Sequence, residues 1–318
     1  MDTAIPEVNR IGRQLMSLEK PKKPKMLVVD DEPDNLDLLY RTFRRDFNVL
    51  RADSGISALE ILATEGEVAV IISDQRMPEM KGTEFLSKTV PQFPDTMRII
   101  LTGFTDVEDL VDAINSGQVY KYITKPWDPN ELKAVVQRAA ETYELLKQRT
   151  EELRRAQAHT ALLNSIVQIA RQASGVESCL QPIAAAFGEN FSTDGCILQL
   201  VEGKSLAAQG SYSLEGEIQN WLDQDPLTEE AIASKKMQAS MNIPGDADLA
   251  NNPQYASSGV QAHLLIPATF RDDVLAVLSL QWKQPRPMSE EELAMIHQSA
   301  QQVGMALTCA RYRQAVAV

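Results

Sequence analysis

Five side chains in the first half of the chain could do chemistry together. Asp30 and Asp31 follow the apolar run Met26-Leu27-Val28-Val29, and Asp74 follows Val68-Ala69-Val70-Ile71-Ile72-Ser73. Thr102 comes after Met97–Leu101, and Lys125 after Tyr120–Ile123. Clustered carboxylates repel one another, and a hard, oxygen-seeking cation such as Mg2+ relieves that repulsion. A carboxylate is also a nucleophile that can become an aspartyl phosphate. A lysine and a metal would then neutralise the transferring phosphoryl oxygens, and the Thr102 hydroxyl would hydrogen-bond the product.

Each residue alone has a plainer reading. Asp30 or Asp31 could cap a helix, Asp74 could sit in a loop, Thr102 could end a strand, and Lys125 could be a surface charge. The elements that carry them give the set its meaning. Short apolar runs at Met26–Val29, Phe47–Ala52, Val68–Ser73, Met97–Leu101 and Tyr120–Ile123 read as strands. Helical patterns lie between them, at Leu36–Phe43, Ile56–Thr64, Thr83–Thr89 and Asp106–Ser116. This alternation predicts an α/β doubly wound parallel sheet. In such a sheet the carboxyl ends of the strands share one edge, and ligands bind there.

Residues of about 25–142 resemble the receiver domain of two-component response regulators. The resemblance rests on Val28-Val29-Asp30-Asp31-Glu32, the segment Ser73–Gly82, Leu101-Thr102-Gly103 and Tyr122-Ile123-Thr124-Lys125-Pro126. The stretch Leu101–Trp127 is also similar to receivers of hydrogenase-type transcription regulators and cyclic-di-GMP phosphodiesterases. The resemblance implies a flavodoxin-like fold with Asp74 as phosphoacceptor. It implies direct Mg2+ ligation by Asp31, Asp74 and the backbone carbonyl of Arg76, with Asp30 acting through a water. Lys125 would pair with the phosphoryl group, Thr102 and Tyr122 would form a switch pair, and Lys125-Pro126 would be cis. Arg76 and Phe104 would tune phosphate lifetime.

The last helix of this domain does not stop where a compact domain would. No Gly or Pro occurs from Glu131 to Ala173. Leu132, Ala139, Leu146, Leu153, Thr160 and Val167 share one heptad position, and Val136, Tyr143, Thr150, Gln157 and Asn164 share the other. This predicts a parallel coiled coil over 131–172 that makes a homodimer. The expected layout is a leader at 1–24, a receiver at 25–130, the long helix at 131–172 and a further domain at 173–318.

In that further domain, strands are expected at Gly195–Glu202, Ser205–Gly210, Ala262–Phe270 and Val274–Trp282. Helices are expected at Ser174–Phe187, Glu215–Leu222, Thr228–Ser234 and from Ser289 on, with a long loop at 242–259. The class is α+β. Residues of about 160–312 resemble a GAF domain, through Leu162–Val167, Leu264-Leu265-Ile266-Pro267 and Leu278–Trp282 leading into Pro287–Glu292. The Cys-His pair of bilin-binding members is missing beside His263, and Cys196 reads as a small buried apolar residue. No covalent chromophore is expected.

The chain has 318 residues and a formal net charge of −13. An acidic surface repels nucleic-acid phosphate and anionic lipid. Three cysteines without paired spacing fit a reducing compartment. No apolar run approaches the ~20 residues that span a bilayer. The expectation is a cytoplasmic response regulator that takes a phosphoryl group from a histidine kinase or phosphotransfer protein and acts through protein contacts. A GAF protein modulated by a small molecule and a DNA-binding regulator are the alternatives. His159 lacks the acidic follower of a phosphorylatable kinase histidine.

Overall fold

A computed structural model describes residues 23–103, 119–203 and 205–316. Most of the expected leader, the expected helix at Asp106–Ser116, and Phe104 lie outside the described residues. Described residues up to Leu153 form one compact unit, and those from Arg154 on form a second.

The first unit runs β1 (Lys25–Val29), α1 (Pro33–Phe43), β2 (Asn48–Ala52), α2 (Gly55–Glu65), β3 (Val70–Asp74), α3 (Gly82–Thr89), β4 (Met97–Thr102) and β5 (Lys121–Thr124). α4 (Pro129–Gln172) follows. The strands pair in parallel in the order β2-β1-β3-β4-β5. β3 and β4 are buried along their whole length, as continuous apolar runs in a two-sided parallel sheet require. Alternate residues serve opposite faces. Val28, Val70, Ile72, Ile99 and Leu101 pack with Leu39 and Phe43 of α1 and with Leu132, Val135, Val136 and Ala139 of α4. Leu27, Val29, Ile71 and Ile100 pack with Ala58 and Leu62 of α2 and with Phe85 and Leu86 of α3.

Local signals fix the helix starts. Ser54 accepts the Ser57 N–H at the head of α2. Asp128 accepts the Asn130 and Glu131 N–H groups at the head of α4, with Pro129 in the first turn where its missing N–H is harmless.

The expected seam of the long helix needs correction. Leu132, Val136 and Ala139 are fully buried in the first unit's own core. Leu162, Ile166 and Ala170 belong to the second unit's core. The apolar stripe at both ends of the helix is therefore used within one chain. Among the apolar repeat positions, Leu146, Leu153 and Val167 stay exposed.

The second unit continues with α5 (Glu177–Asn190), β6 (Gly195–Glu202), β7 (Ser205–Ser213), α6 (Pro226–Ser234), β8 (Gln238–Ser240) and α7 (Pro253–Ser258). β9 (Ala262–Phe270), β10 (Asp273–Trp282) and α8 (Glu290–Val316) complete it. Its sheet is antiparallel, in the order β7-β6-β10-β9-β8. α5, α8 and the end of α4 cover one face. In the segment from Trp221 to Val260, Met241 joins the main core, while Trp221, Leu222, Ala231, Ile243, Leu249, Tyr255 and Val260 form two smaller clusters, one of which includes Ile197 and Leu265 of the sheet.

Two expectations fail here. Glu215–Leu222 is not a helix; Gly216 takes φ 70° and only a 3-10 turn forms, at Leu222–Gln224. The expected loop at 242–259 contains α7, started by Pro253 with the Asn252 side chain accepting the Gln254 N–H. The edge strand β8, three residues long, carried too little pattern to be read. Among the described residues no helix is long and apolar enough to cross a membrane.

Gly304 lets α8 lie directly on β9, since a methyl group there would overlap the Thr269 carbonyl. Gly304→Ala should lower stability by about 1–3 kcal/mol, read as a lower midpoint in urea unfolding. An unchanged midpoint would show that the helix can move off the strand freely.

Candidate functional site

β1 and β3 lie side by side; Asp30 directly follows β1 and Asp74 ends β3, and both are buried. β5 lies at the sheet edge beyond β4, and Lys125 follows it. The Lys125 ammonium sits between the two carboxylates, 2.5 Å from Asp74 Oδ1 and 3.2 Å from Asp30 Oδ2. The Lys125 N–H donates to the Thr102 carbonyl at 2.7 Å, which ties the residue to β4, and Lys125-Pro126 is cis. The Trp127 ring centroid is 5.7 Å from the same ammonium.

The remaining carboxylate oxygens are also held. Asp30 Oδ1 accepts the Glu32 N–H at 2.9 Å, and the Asn35 amide donates to both Asp30 oxygens at 3.1 Å. Asp74 Oδ2 accepts the Arg76 N–H at 2.8 Å. Gln75 then anchors the head of α3: its carbonyl accepts the Gly82 N–H, and its side-chain oxygen accepts the Thr83 N–H. Gly82 is needed there, because a methyl group would overlap the Asp74 carbonyl.

Burial pushes the Asp74 carboxyl above its ordinary range, and the Asp30 charge adds to that; Lys125 and the Arg76 N–H pull the other way. Burial also works to lower the Lys125 ammonium, but the two carboxylates outweigh it and hold it above its ordinary value.

Asp30, Asp74 and Lys125 thus meet as the strand ends predict. Asp31 is exposed on the turn after β1. Thr102 is buried at the end of β4, its hydroxyl donating to the Gly103 carbonyl at 3.2 Å. Tyr122 is 37% exposed. Among the described residues no three Asp, Glu, His or Cys side chains form a ready metal cage. The donor chemistry nevertheless fits a hard cation, since two buried carboxylates face a single ammonium and leave net negative charge. Asn35 and Gln75 were not read from the sequence. Asn35 was legible as a polar residue in the first turn of the helix that follows Asp30-Asp31.

The second unit holds a polar network that the sequence did not show. His263 is wholly buried on β9. Tyr255 Oη lies 2.8 Å from its Nδ1 and Ser279 Oγ 2.8 Å from its Nε2. Tyr255 donates to Asp225 at 2.8 Å, and the Gln281 amide donates to Ser279 at 2.9 Å. Trp221 packs edge-on against Tyr255 and His263. Burial pushes the imidazole down to about 4, against the pull of Asp225, so it is neutral at pH 7. Cys196 is buried in β6, as expected, and burial pushes its thiol up.

Because the folded Asp74 carboxyl is raised, the folded state binds its proton more tightly than the unfolded chain. The associated stability is present below the ordinary value of 3.8 and is lost as pH rises through the raised one. In metal-free buffer, the stability of wild type relative to Asp74→Asn should increase as pH falls from about 7 toward the ordinary carboxylate range. Thermal unfolding at several pH values checks this, and a difference that shrinks on acidification contradicts it.

The chain is similar to known proteins in two regions. A family model of the response regulator receiver domain matches residues 26–137, and a GAF domain model matches residues 173–308. The hydrogenase transcriptional regulatory protein HoxA of Cupriavidus necator is 41% identical over 120 residues, which cover 38% of this chain and 25% of that protein. A chemotaxis protein CheY homolog of Campylobacter jejuni is 34% identical over 113 residues, 34% of this chain and 86% of the relative. A crystal structure of an adenylate cyclase from Rhodopirellula baltica is 32% identical with a TM-score of 0.41, covering 42% of this chain and 98% of that one. The chain spans about a quarter of the length of the hydrogenase regulators it matches. The chain belongs to the response regulators, with a receiver domain followed by a GAF domain.

Proposed function

We propose that Asp74 accepts a phosphoryl group from the phosphohistidine of a histidine kinase or phosphotransfer protein. The observation that carries this reading is the Lys125 ammonium held against both Asp74 and Asp30 at the carboxyl edge of the sheet. An Asp74 oxygen attacks phosphorus, the phosphorus–nitrogen bond breaks, and the leaving imidazole takes a proton from solvent. Lys125 stays beside the acceptor and neutralises a phosphoryl oxygen. Asp31, Asp74 and the Arg76 carbonyl would hold Mg2+, with Asp30 acting through a water. When bound, the metal would offset the remaining phosphoryl charge. Thr102 then turns its hydroxyl from the Gly103 carbonyl to the new phosphoryl group, and Tyr122 swings inward from its exposed position.

The output in this proposal is protein contact. Receiver and GAF domains are regulatory modules, and the change at β4 and β5 reaches α4, which begins four residues after Lys125. The curated relatives named as transcription regulators match only through the receiver, and the net charge of −13 does not favour nucleic acid. Leu146, Leu153 and Val167, which share one heptad position on α4, are exposed. They are the part of the repeat left to join a second copy in a homodimer.

A small phosphodonor with Mg2+ should label the chain once, as read by intact mass. Asp74→Asn should show background labelling only, and Lys125→Met should slow it by roughly 10²-fold. Undiminished labelling of Asp74→Asn would place the acceptor elsewhere. Light scattering should find a dimer at micromolar concentration that Leu146→Asp with Leu153→Asp converts to monomer; a monomeric wild type rules out the α4 pairing.

A further inference from the structure

α4 makes a second attachment to the receiver at the edge of the sheet opposite Asp74. The residues that face the core recur as Leu132, Val135, Val136 and Ala139, with Ala140 and Tyr143 partly buried behind them. The same helical stripe reaches Lys147 one turn later, and there it becomes electrostatic. Lys147 Nζ lies 2.7 Å from Glu67 Oε2 and 3.2 Å from Asp95 Oδ2. Its ammonium also lies 5.7 Å from the Tyr143 ring centroid. Glu67 precedes β3 and Asp95 precedes β4, so one ammonium joins the amino ends of the two central strands to the helix.

The charges around this point make Lys147 hard to replace. The other oxygen of Glu67, Oε1, is buried and makes no hydrogen bond among the described residues. Burial lowers the Arg98 guanidinium on β4 below its ordinary value, against the pull of Glu67. The guanidinium is committed elsewhere, donating to Thr89 Oγ1, the Thr96 carbonyl and the Phe93 carbonyl. Lys147 is the one ion-pair partner of both Glu67 and Asp95 among the described residues. Its hydrogen bond to Glu67 raises the Lys147 ammonium further above its ordinary value, which keeps it charged. Beyond it, residues 148–157 are exposed except for Glu151.

We propose that Lys147 is an electrostatic latch that sets where α4 leaves the receiver. Latched, the helix follows the receiver surface to Lys147. Unlatched, it is held by apolar packing only as far as Ala139, with Ala140 and Tyr143 in looser contact, and the departure point retreats by about two turns. The latch is reversible and open to control by salt or by loss of the lysine charge. It does not depend on whether Asp74 carries phosphate.

Hydrogen exchange on the full chain tests this with Lys147→Met, which keeps the length and apolar body of the side chain. Amides of 140–150 should exchange roughly three- to thirtyfold faster in the variant, as two partly exposed ion pairs warrant. Amides of 132–139 should not change. Raising the ionic strength from about 0.05 M to 0.5 M should speed exchange of 140–150 in wild type and leave the variant unaltered. The proposal is overturned if the variant protects 140–150 as well as wild type does. It is equally overturned if salt acts on both alike, or if protection is lost to the same extent in β1 and β3, which would make Lys147 a general stabiliser.

Discussion

One ammonium shared by two buried carboxylates constrains everything around it in the receiver. Neither Asp30 nor Asp74 could be buried charged without the half-buried Lys125 beside them, because a lone ion loses more hydration than packing returns. The three come from β1, β3 and the far side of β5, so all three strands must end in register. A slip of one residue would turn an acid into the apolar core. Lys125 must also reach across the end of β4 to touch both acids. The chain there is Thr102-Gly103. The backbone bond from Lys125 to the Thr102 carbonyl then holds the lysine at that height.

α4 shows how one helix can serve two cores without an interruption in its sequence. Near its start it gives Leu132, Val135, Val136 and Ala139 to the receiver, and near its end it gives Leu162, Ile166 and Ala170 to the GAF unit. The Asn190 amide donates to the Ala158 carbonyl, and Arg313 donates to the Ala170 and Arg171 carbonyls. The second unit thereby holds the helix by its backbone as well as its side chains.

The receiver site was legible because its chemistry is written at strand ends. Each of Asp30, Asp74 and Lys125 follows a short apolar run, and parallel topology alone brings such ends together. The helix was legible as a helix but not in its use. An apolar residue at every third or fourth position is needed equally by a coiled-coil seam and by a helix lying on its own domain. Leu132 and Leu153 looked alike in sequence, yet one is wholly buried and the other 64% exposed. Lys147 has no local link in sequence to Glu67 and Asp95, so nothing around it marks its role. The segment 215–260 was the least legible. Its order comes from contacts between Trp221, Tyr255 and His263, which no periodicity announces.

The buried network of the GAF unit has a direction. Tyr255 spends its only proton on Asp225, so it must receive one from His263 Nδ1. Nε2 is then bare and takes the Ser279 proton, which leaves the Ser279 oxygen to accept from Gln281. Every donor from Gln281 through Ser279, His263 and Tyr255 therefore points toward Asp225. The imidazole is locked in a single tautomer by a carboxylate it does not hydrogen-bond. Dipoles aligned head to tail polarise one another. They end on the residue whose carboxylate also accepts the Leu227 N–H at the head of α6, where the helix presents its positive end. A strand in mid-sheet is thus joined to a helix terminus by a chain of protons that can be ordered in only one sense.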